Sequence, residues 1–249
     1  MDIVYTLGGN SRHDNIELRW SLRSMVKNCR NIGNVIVVGV IPDWLSDDVI
    51  KIPVEQRSRI VQKNMIRNIK AVVDAGVVDE DFLVSADDHF YVKPVDFDLW
   101  PIYKVDNLPH LVKFEEGHYE YKLGLVGSRW LLSRYGLPVY NTSCHYNVRA
   151  SARSLKYDYE LMRAATSDEY RMNAWSLIGN MALAEHPEIP VVQHDDIKIT
   201  EPIRDIEQLN RIIGESEFFS IDDDAFDGGA LEMFMNSAFG EMCRYEKEV

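Results

Sequence analysis

Apolar residues near the start of the chain fall in short unbroken runs separated by longer stretches with helical spacing. The runs are Ile3-Val4-Tyr5, Val35-Ile36-Val37-Val38 and Phe82-Leu83-Val84. With no polar position alternating inside them, they predict strands covered on both faces, the pattern of a parallel sheet. Between the first two, Leu18, Leu22, Met25 and Cys29 recur at intervals of four, three and four. That spacing predicts a helix with one apolar stripe, and Asp14 or Asn15 stands where its N-cap belongs. A short edge strand over 49–53 and a second helix over 58–75 precede the third run. Met65, Ile69, Val72 and Val73 form the buried stripe of that helix, with Lys63, Asn64 and Arg67 off it. The order β-α-β-(β)-α-β predicts an α/β fold, a Rossmann-like, mostly parallel sheet flanked by helices.

Beyond residue 95 the pattern is less regular. A strand is expected at His110–Phe114, and a helix over 126–135 that stops at Gly136. Two helices over 150–165 and 172–185 follow, then a strand at Pro190–Gln193. An amphipathic helix around Ile206, Leu209, Ile212 and Ile213, a strand over 218–221 and a helix over 228–240 complete the chain. No linker, repeat or low-complexity segment interrupts it, so one domain is expected: residues 1–95 as a nucleotide-binding half and 96–249 as an acceptor-side half.

The candidate chemistry sits at strand ends. The Phe82 strand stops at Ser85-Ala86 and presents Asp87, Asp88 and His89. In open α/β sheets ligands gather outside the carboxyl ends of the strands. Two adjacent carboxylates there repel each other unless a cation separates them, and Mg²⁺ characteristically takes one or two carboxylates plus phosphate oxygens. A solvated turn would carry the same residues. The first strand ends in Thr6-Leu7-Gly8-Gly9, where glycine lets backbone amides approach a nucleotide. Arg19 and Arg23 lie one helical turn apart nearby and suit a phosphate, and Lys63 is assigned to the same donor. His145, in a polar loop, is a candidate general base beside a catalytic Asp88. Arg149, Arg153 and Lys156 form a local basic cluster, with the first two expected to contact acceptor or phosphate. His194-Asp195-Asp196 repeats the arrangement of a strand followed by metal-type ligands, and Asp222-Asp223-Asp224 is an acidic turn.

Charge narrows the partners. Lys and Arg number 27 against 40 Asp and Glu, a net charge of −13, which argues against binding nucleic acid by general charge attraction. The three cysteines are far apart and suggest neither a disulfide framework nor a zinc ribbon. The amino terminus lacks a signal-peptide pattern, and no apolar run approaches the roughly 18 residues a membrane span requires. A cytoplasmic location is expected.

Five blocks carry a family resemblance: Asp2–Leu7, Glu17–Ser24, Val35–Gly39, Pro42–Leu45 and Asp81–Phe90. In this order they resemble the amino-terminal regions of the Stealth proteins, nucleotide-sugar-dependent enzymes of capsule synthesis that transfer hexose 1-phosphate. They are also similar to small phage and bacterial glycosyltransferases of the GT-A fold, whose metal motif is Asp-x-Asp. The resemblance covers roughly the first 95 residues. It implies a GT-A-like domain, a nucleotide-sugar donor and a Mn²⁺ or Mg²⁺ cofactor. Thr6 to Gly9 would border the nucleotide, Arg19 and Arg23 the pyrophosphate, and Asp87 with Asp88 the metal. A late His or Asp completes the metal shell in many GT-A enzymes, which puts His194 and then Asp196 beside Asp87, Asp88 and His89. The sequence departs from the pattern at Ser85-Ala86, where Stealth proteins usually carry Asn, and at His89, which breaks a strict Asp-x-Asp. Glycosyl transfer to a hydroxyl is the expectation. The alternatives are sugar-1-phosphate transfer, glycosylation of a hydroxymethylated DNA base extruded from the duplex, and sugar-nucleotide binding without turnover. A glycan acceptor is expected ahead of DNA.

Overall fold

The computed structural model describes the chain except residues 10, 12, 112–118, 143–145, 158, 168–170, 195–196 and 248–249. In chain order it opens with β1 (Asp2–Leu7), α1 (Ile16–Asn28), β2 (Cys29–Arg30), β3 (Val35–Gly39) and β4 (Val49–Pro53). Then come α2 (Val61–Ala75), β5 (Asp81–Ser85), β6 (His89–Tyr91), β7 (Val95–Asp96), β8 (Ile102–Lys104) and β9 (Asp106–Asn107). The middle holds α3 (Tyr119–Arg134), β10 (Tyr140–Asn141), β11 (Val148–Ser151), α4 (Ala152–Tyr157), α5 (Tyr159–Thr166) and α6 (Ala174–Glu185). The last part comprises β12 (Val191–Gln193), β13 (Lys198–Ile199), α7 (Ile206–Ile213), β14 (Phe218–Ile221) and α8 (Ala230–Phe239). Among the described residues no helix is long and apolar enough to cross a membrane.

The central sheet has the order β11-β5-β1-β3-β4, with β1 at its middle. β1 runs parallel to β3 (Ile3 opposite Val35) and to β5 (Asp2 opposite Phe82), β3 runs parallel to β4, and β11 is antiparallel to β5. Successive side chains point to opposite faces, which explains why the apolar runs are unbroken. Val4, Ile36, Val38, Phe82 and Val84 pack with Ile66, Ile69 and Val72 of α2. Ile3, Tyr5, Leu7, Val35, Val37 and Leu83 pack with Leu18, Leu22 and Met25 of α1. The chain leaves β1 toward β3 and returns through α2 to β5 on the other side of β1. The loops after β1 and β5 therefore part in opposite directions, and a crevice opens between them at this topological switch point.

The helix expected over 150–165 is not continuous. Residues 148–151 form β11, and α4 and α5 follow it. Val-Arg-Ala-Ser has little intrinsic strand signal; what makes it a strand is the open edge of β5, together with burial of Val148 and Ala150 against α6. Gly179 of α6 allows that approach, because an added Cβ would lie 2.6 Å from Thr142 Oγ1 and 2.9 Å from Val148 Cγ2. β12 does not join the central sheet but pairs with β8 in a separate ladder. His110 and Leu111 are not in a strand, and the rest of the segment expected at 110–114 lies outside the described residues.

Arg19 and Arg23, expected beside a pyrophosphate, are instead committed to structure. Arg23 Nε donates to Glu246 Oε1 at 2.7 Å, and Arg19 Nη1 to Glu246 Oε2 at 2.8 Å. Arg23 also caps Phe239 O and Gly240 O, and Arg19 lies over the Trp44 ring. The Glu246 side chain is fully enclosed. Burial alone would push its carboxyl up, but the hydrogen bond from Arg23 and those from the Cys243 N–H and Arg19 outweigh it and leave the carboxyl below its ordinary value. The fork clips the end of the chain onto α1 and the segment after β3, where Leu45 and Glu246 form a β-bridge. Replacing Glu246→Ala would leave two guanidinium groups facing each other with little water. A loss of about 3 kcal/mol is expected, the scale for breaking one side of a buried ion pair, read as a lower urea midpoint. An unchanged midpoint would show that the fork carries no stability.

Candidate active site

The crevice is built from strand ends. Beyond Leu7 and Gly39 the backbone ladder continues, with Val40 N–H donating to Leu7 O at 3.3 Å and Val54 N–H to Gly39 O at 3.0 Å. Gly39 is required there: its φ is 111°, and an added Cβ would overlap Leu7 O and sit 2.9 Å from Asn68 Nδ2. A cleft of about 610 Å³ opens above these ends, within the usual range for small-molecule sites. Thr6, Leu7, Gly8 and Gly9 line it on one side and Ala86, Asp87 and Asp88 on another, while Asn64, Met65 and Asn68 of α2 form a third wall. The first turn and the paired aspartates, more than 75 residues apart in the chain, thus share one space.

A second chamber, of about 280 Å³, adjoins the first. Ser11, Glu17, Lys198, Asp222 and Asp223 line it, and Gly8, Val61, Asp87 and Asp88 border both. Asp87 and Asp88 thus form the ridge between the two spaces. Burial pushes the Asp87 carboxyl up to about 7, and repulsion from Asp88, Glu17 and Asp223 adds to it against a backbone hydrogen bond. Burial likewise raises Glu17, although Ser11 Oγ donates to it at 3.3 Å and His13 favours its charge. Asp88 Oδ1 is buried with no hydrogen-bond partner among the described residues.

His89 lies beneath this ridge and lines neither space. Its Nδ1 is 3.1 Å from Asn147 Oδ1, its Nε2 is 3.7 Å from Asp88 Oδ1, and its carbonyl accepts from Ser21 Oγ at 2.6 Å. Asn147 in turn donates to the Tyr91 hydroxyl. The buried ring therefore sits beneath Asp88 at a distance too long for a hydrogen bond.

Among the described residues no group of three or more His, Cys, Asp or Glu side chains is arranged to hold a metal ion. The pair Asp87 and Asp88, with one oxygen unpartnered among the described residues and a carboxyl whose ionisation burial opposes, nonetheless fits a cation that takes one or two carboxylates and completes its shell with phosphate oxygens and water.

Other expected residues lie elsewhere. Lys63, expected off the apolar stripe, is buried in the first turn of α2 and does not line the cleft. Arg149 donates to Asp81 Oδ2 at 3.1 Å and to Trp100 O, and Arg153 pairs with Glu185 at 3.1 Å. Asp81 begins β5, so both arginines sit at the amino end of the strand whose carboxyl end carries Asp87. The register with β5 sets this, because antiparallel β11 carries Arg149 opposite Leu83 and Ser151 opposite Asp81. His194 stacks on Phe218 within a cluster that includes Tyr103 and Tyr146. The β12 strand that leads to it belongs to the ladder with β8, so it and β5 do not end at one sheet edge. Trp100 is buried against Tyr91, Phe97 and Phe218. His145 and Asp196 lie outside the described residues. The structure adds Glu17, Asn64, Asn68 and Lys198 to the lining. Of these only Glu17 carried a signal, as the acid one turn into the helix that follows Gly8-Gly9.

Fold and cleft together define a mixed α/β protein with a ligand-sized crevice at the switch point of a mostly parallel sheet. Comparison with protein-family models and with curated proteins finds no match for the chain.

Asp87 gives the site a pH signature. A carboxyl whose folded value lies above its unfolded value contributes fully below the unfolded value, and that contribution is lost as pH rises through about 7. Asp87→Asn should therefore melt higher than wild type above about pH 8 and no higher below about pH 4. Each kcal/mol of relief corresponds to roughly 2–4 °C. Coincident melting curves at both pH values would remove the strained carboxylate.

Proposed function

We propose that the chain is a metal-dependent glycosyltransferase of the GT-A type that uses a nucleotide-sugar donor. The observation that carries this reading is the ridge of Asp87 and Asp88 between two chambers of unequal size. The larger cleft, with the glycine turn and the ends of β3 and β4, accommodates the nucleotide. The smaller chamber takes the acceptor. A divalent cation held by Asp87 and Asp88 would neutralise the charge of the leaving diphosphate. Glu17, kept basic by burial, is on the acceptor side to take the proton of the acceptor hydroxyl. The acceptor oxygen then replaces the diphosphate oxygen at the anomeric carbon, and the nucleoside diphosphate departs with the electron pair of the broken bond.

The chamber also bears on the acceptor. It is lined by Glu17, Asp222 and Asp223 with Lys198 as counter-charge, which suits a neutral or cationic polyhydroxylated molecule. A nucleic-acid acceptor would bring phosphates to carboxylates, while Arg149 and Arg153 are occupied at the other end of the sheet. A glycan acceptor is therefore favoured over DNA.

A panel of nucleotide sugars incubated with Mn²⁺ tests the reading. Release of nucleoside diphosphate with sugar transfer is expected, and Asp88→Asn should lower metal-dependent turnover by at least about a hundredfold while retaining the melting temperature. Release of nucleoside monophosphate would establish sugar-1-phosphate transfer instead. Donor binding without turnover at any acceptor would leave a binding protein.

A further inference from the structure

The entry into α2 has the makings of an anion seat. Ile60 precedes the helix with an extended backbone and no side-chain cap hydrogen bond, and the first turn contains no acidic residue. The N–H groups of Val61 and Gln62 have no acceptor among the described residues. The positive end of a fifteen-residue helix is thus left uncompensated. Val61 is 63% exposed and borders both chambers. Arg59, exposed on the cleft wall, has no ion pair or hydrogen bond among the described residues, whereas neighbouring Arg57 is held by Glu55 at 3.1 Å.

An independent observation comes from the facing strand. Thr6 is only 6% exposed, and its hydroxyl oxygen is buried without a hydrogen-bond partner. Strand alternation sends its side chain to the same face as Val4, the face on which α2 packs. An unsatisfied buried hydroxyl is destabilising, and a ligand oxygen accepting from it would relieve that cost. Asp87 and Asp88 stand on another wall of the same cleft, so a diphosphate lying between the walls would meet donors on one side and cation-binding carboxylates on the other.

We propose that the first turn of α2, Arg59 and the Thr6 hydroxyl form a subsite for the diphosphate of a nucleotide. The proposal rests on the reading of the larger cleft as the donor site, and it gives the phosphate contact to Arg59 in place of Arg19 and Arg23.

Calorimetric titration of the full chain with inorganic pyrophosphate, the common nucleoside diphosphates and their parent nucleosides, each with and without Mg²⁺, tests this. Wild type should bind pyrophosphate and at least one nucleoside diphosphate. Arg59→Ala and Val61→Glu should each weaken both by about tenfold or more, since one removes a cation and the other brings an acid to the helix start. Both positions are exposed, and unchanged affinity for the parent nucleoside serves as the folding control. Thr6→Val should produce a smaller loss in the same direction. No pyrophosphate or nucleoside diphosphate binding by wild type, or equal affinity in wild type, Arg59→Ala and Val61→Glu, would overturn the subsite. The transferase reading fails separately: weakened binding in the variants with no turnover of any nucleotide sugar would keep the subsite and lose the reaction. Turnover with an unchanged KM in Arg59→Ala would lose the subsite alone.

Discussion

Carboxylates crowded together at the end of the sheet, with Asp87 pushed up by burial and by its acidic neighbours, are the constraint on which the site depends. Asp87, Asp88, Glu17 and Asp223 converge where the ends of β1 and β5 separate, and burial strengthens the repulsion among them. Lys198 lines the same chamber as this cluster. The surroundings hold the cluster in place. His89, Asn147, Tyr91 and Ser21 form a buried hydrogen-bonded support under the ridge, and that support is in turn fixed by β6 pairing with β14. The same parallel sheet that buries both faces of β1 and β5 also delivers their loops to one edge.

Charge is sorted along the sheet. At the amino end of β5, Asp81 is met by Arg149 at 3.1 Å and by His186 at 3.2 Å, while Glu80 accepts from Ser151 Oγ and the Arg153 N–H. At the far corner of α1, Glu246 is met by Arg19 and Arg23. Asp81 and Glu246 are paired with arginines and Glu80 is hydrogen-bonded, so these carboxylates serve the cohesion of the fold. Among the described residues no arginine pairs with Asp87 or Asp88, whereas Asp81 and Glu246 are each held by one, and arginine is the residue best suited to fork a carboxylate.

Much of this was legible in the chain. Unbroken apolar runs predicted β1, β3 and β5, and the stripe of Leu18, Leu22 and Met25 predicted α1, because burial on both faces of a parallel sheet leaves a direct imprint on sequence. The Thr6–Gly9 turn and the Asp87-Asp88 pair were readable for the same reason, since strand ends mark the ligand edge. Features that rest on long-range pairing left no such imprint. Glu246 captures Arg19 and Arg23 across more than 220 residues, so the arginines' nearness to a glycine turn in sequence was misleading. β11 exists because β5 offers an edge, and β12 pairs with β8 instead, so neither the position of Arg149 nor that of His194 followed from the local pattern.

The walls of the larger cleft also constrain the order of events. With no cation present, the paired aspartates and the −13 net charge oppose entry of a diphosphate. A cation that takes two carboxylates has open coordination positions for phosphate oxygens. On the proposed transferase reading, metal and donor are expected to bind with positive coupling, because each supplies the charge that the other lacks, and linkage makes the effect reciprocal. The smaller chamber has no such need: Lys198 lies 3.8 Å from Asp222, and its remaining acids suit hydroxyl donors. If the larger cleft is the donor site proposed above, such an arrangement would fill it first and leave the smaller chamber selective for uncharged or cationic groups, with Asp87 and Asp88 bordering both.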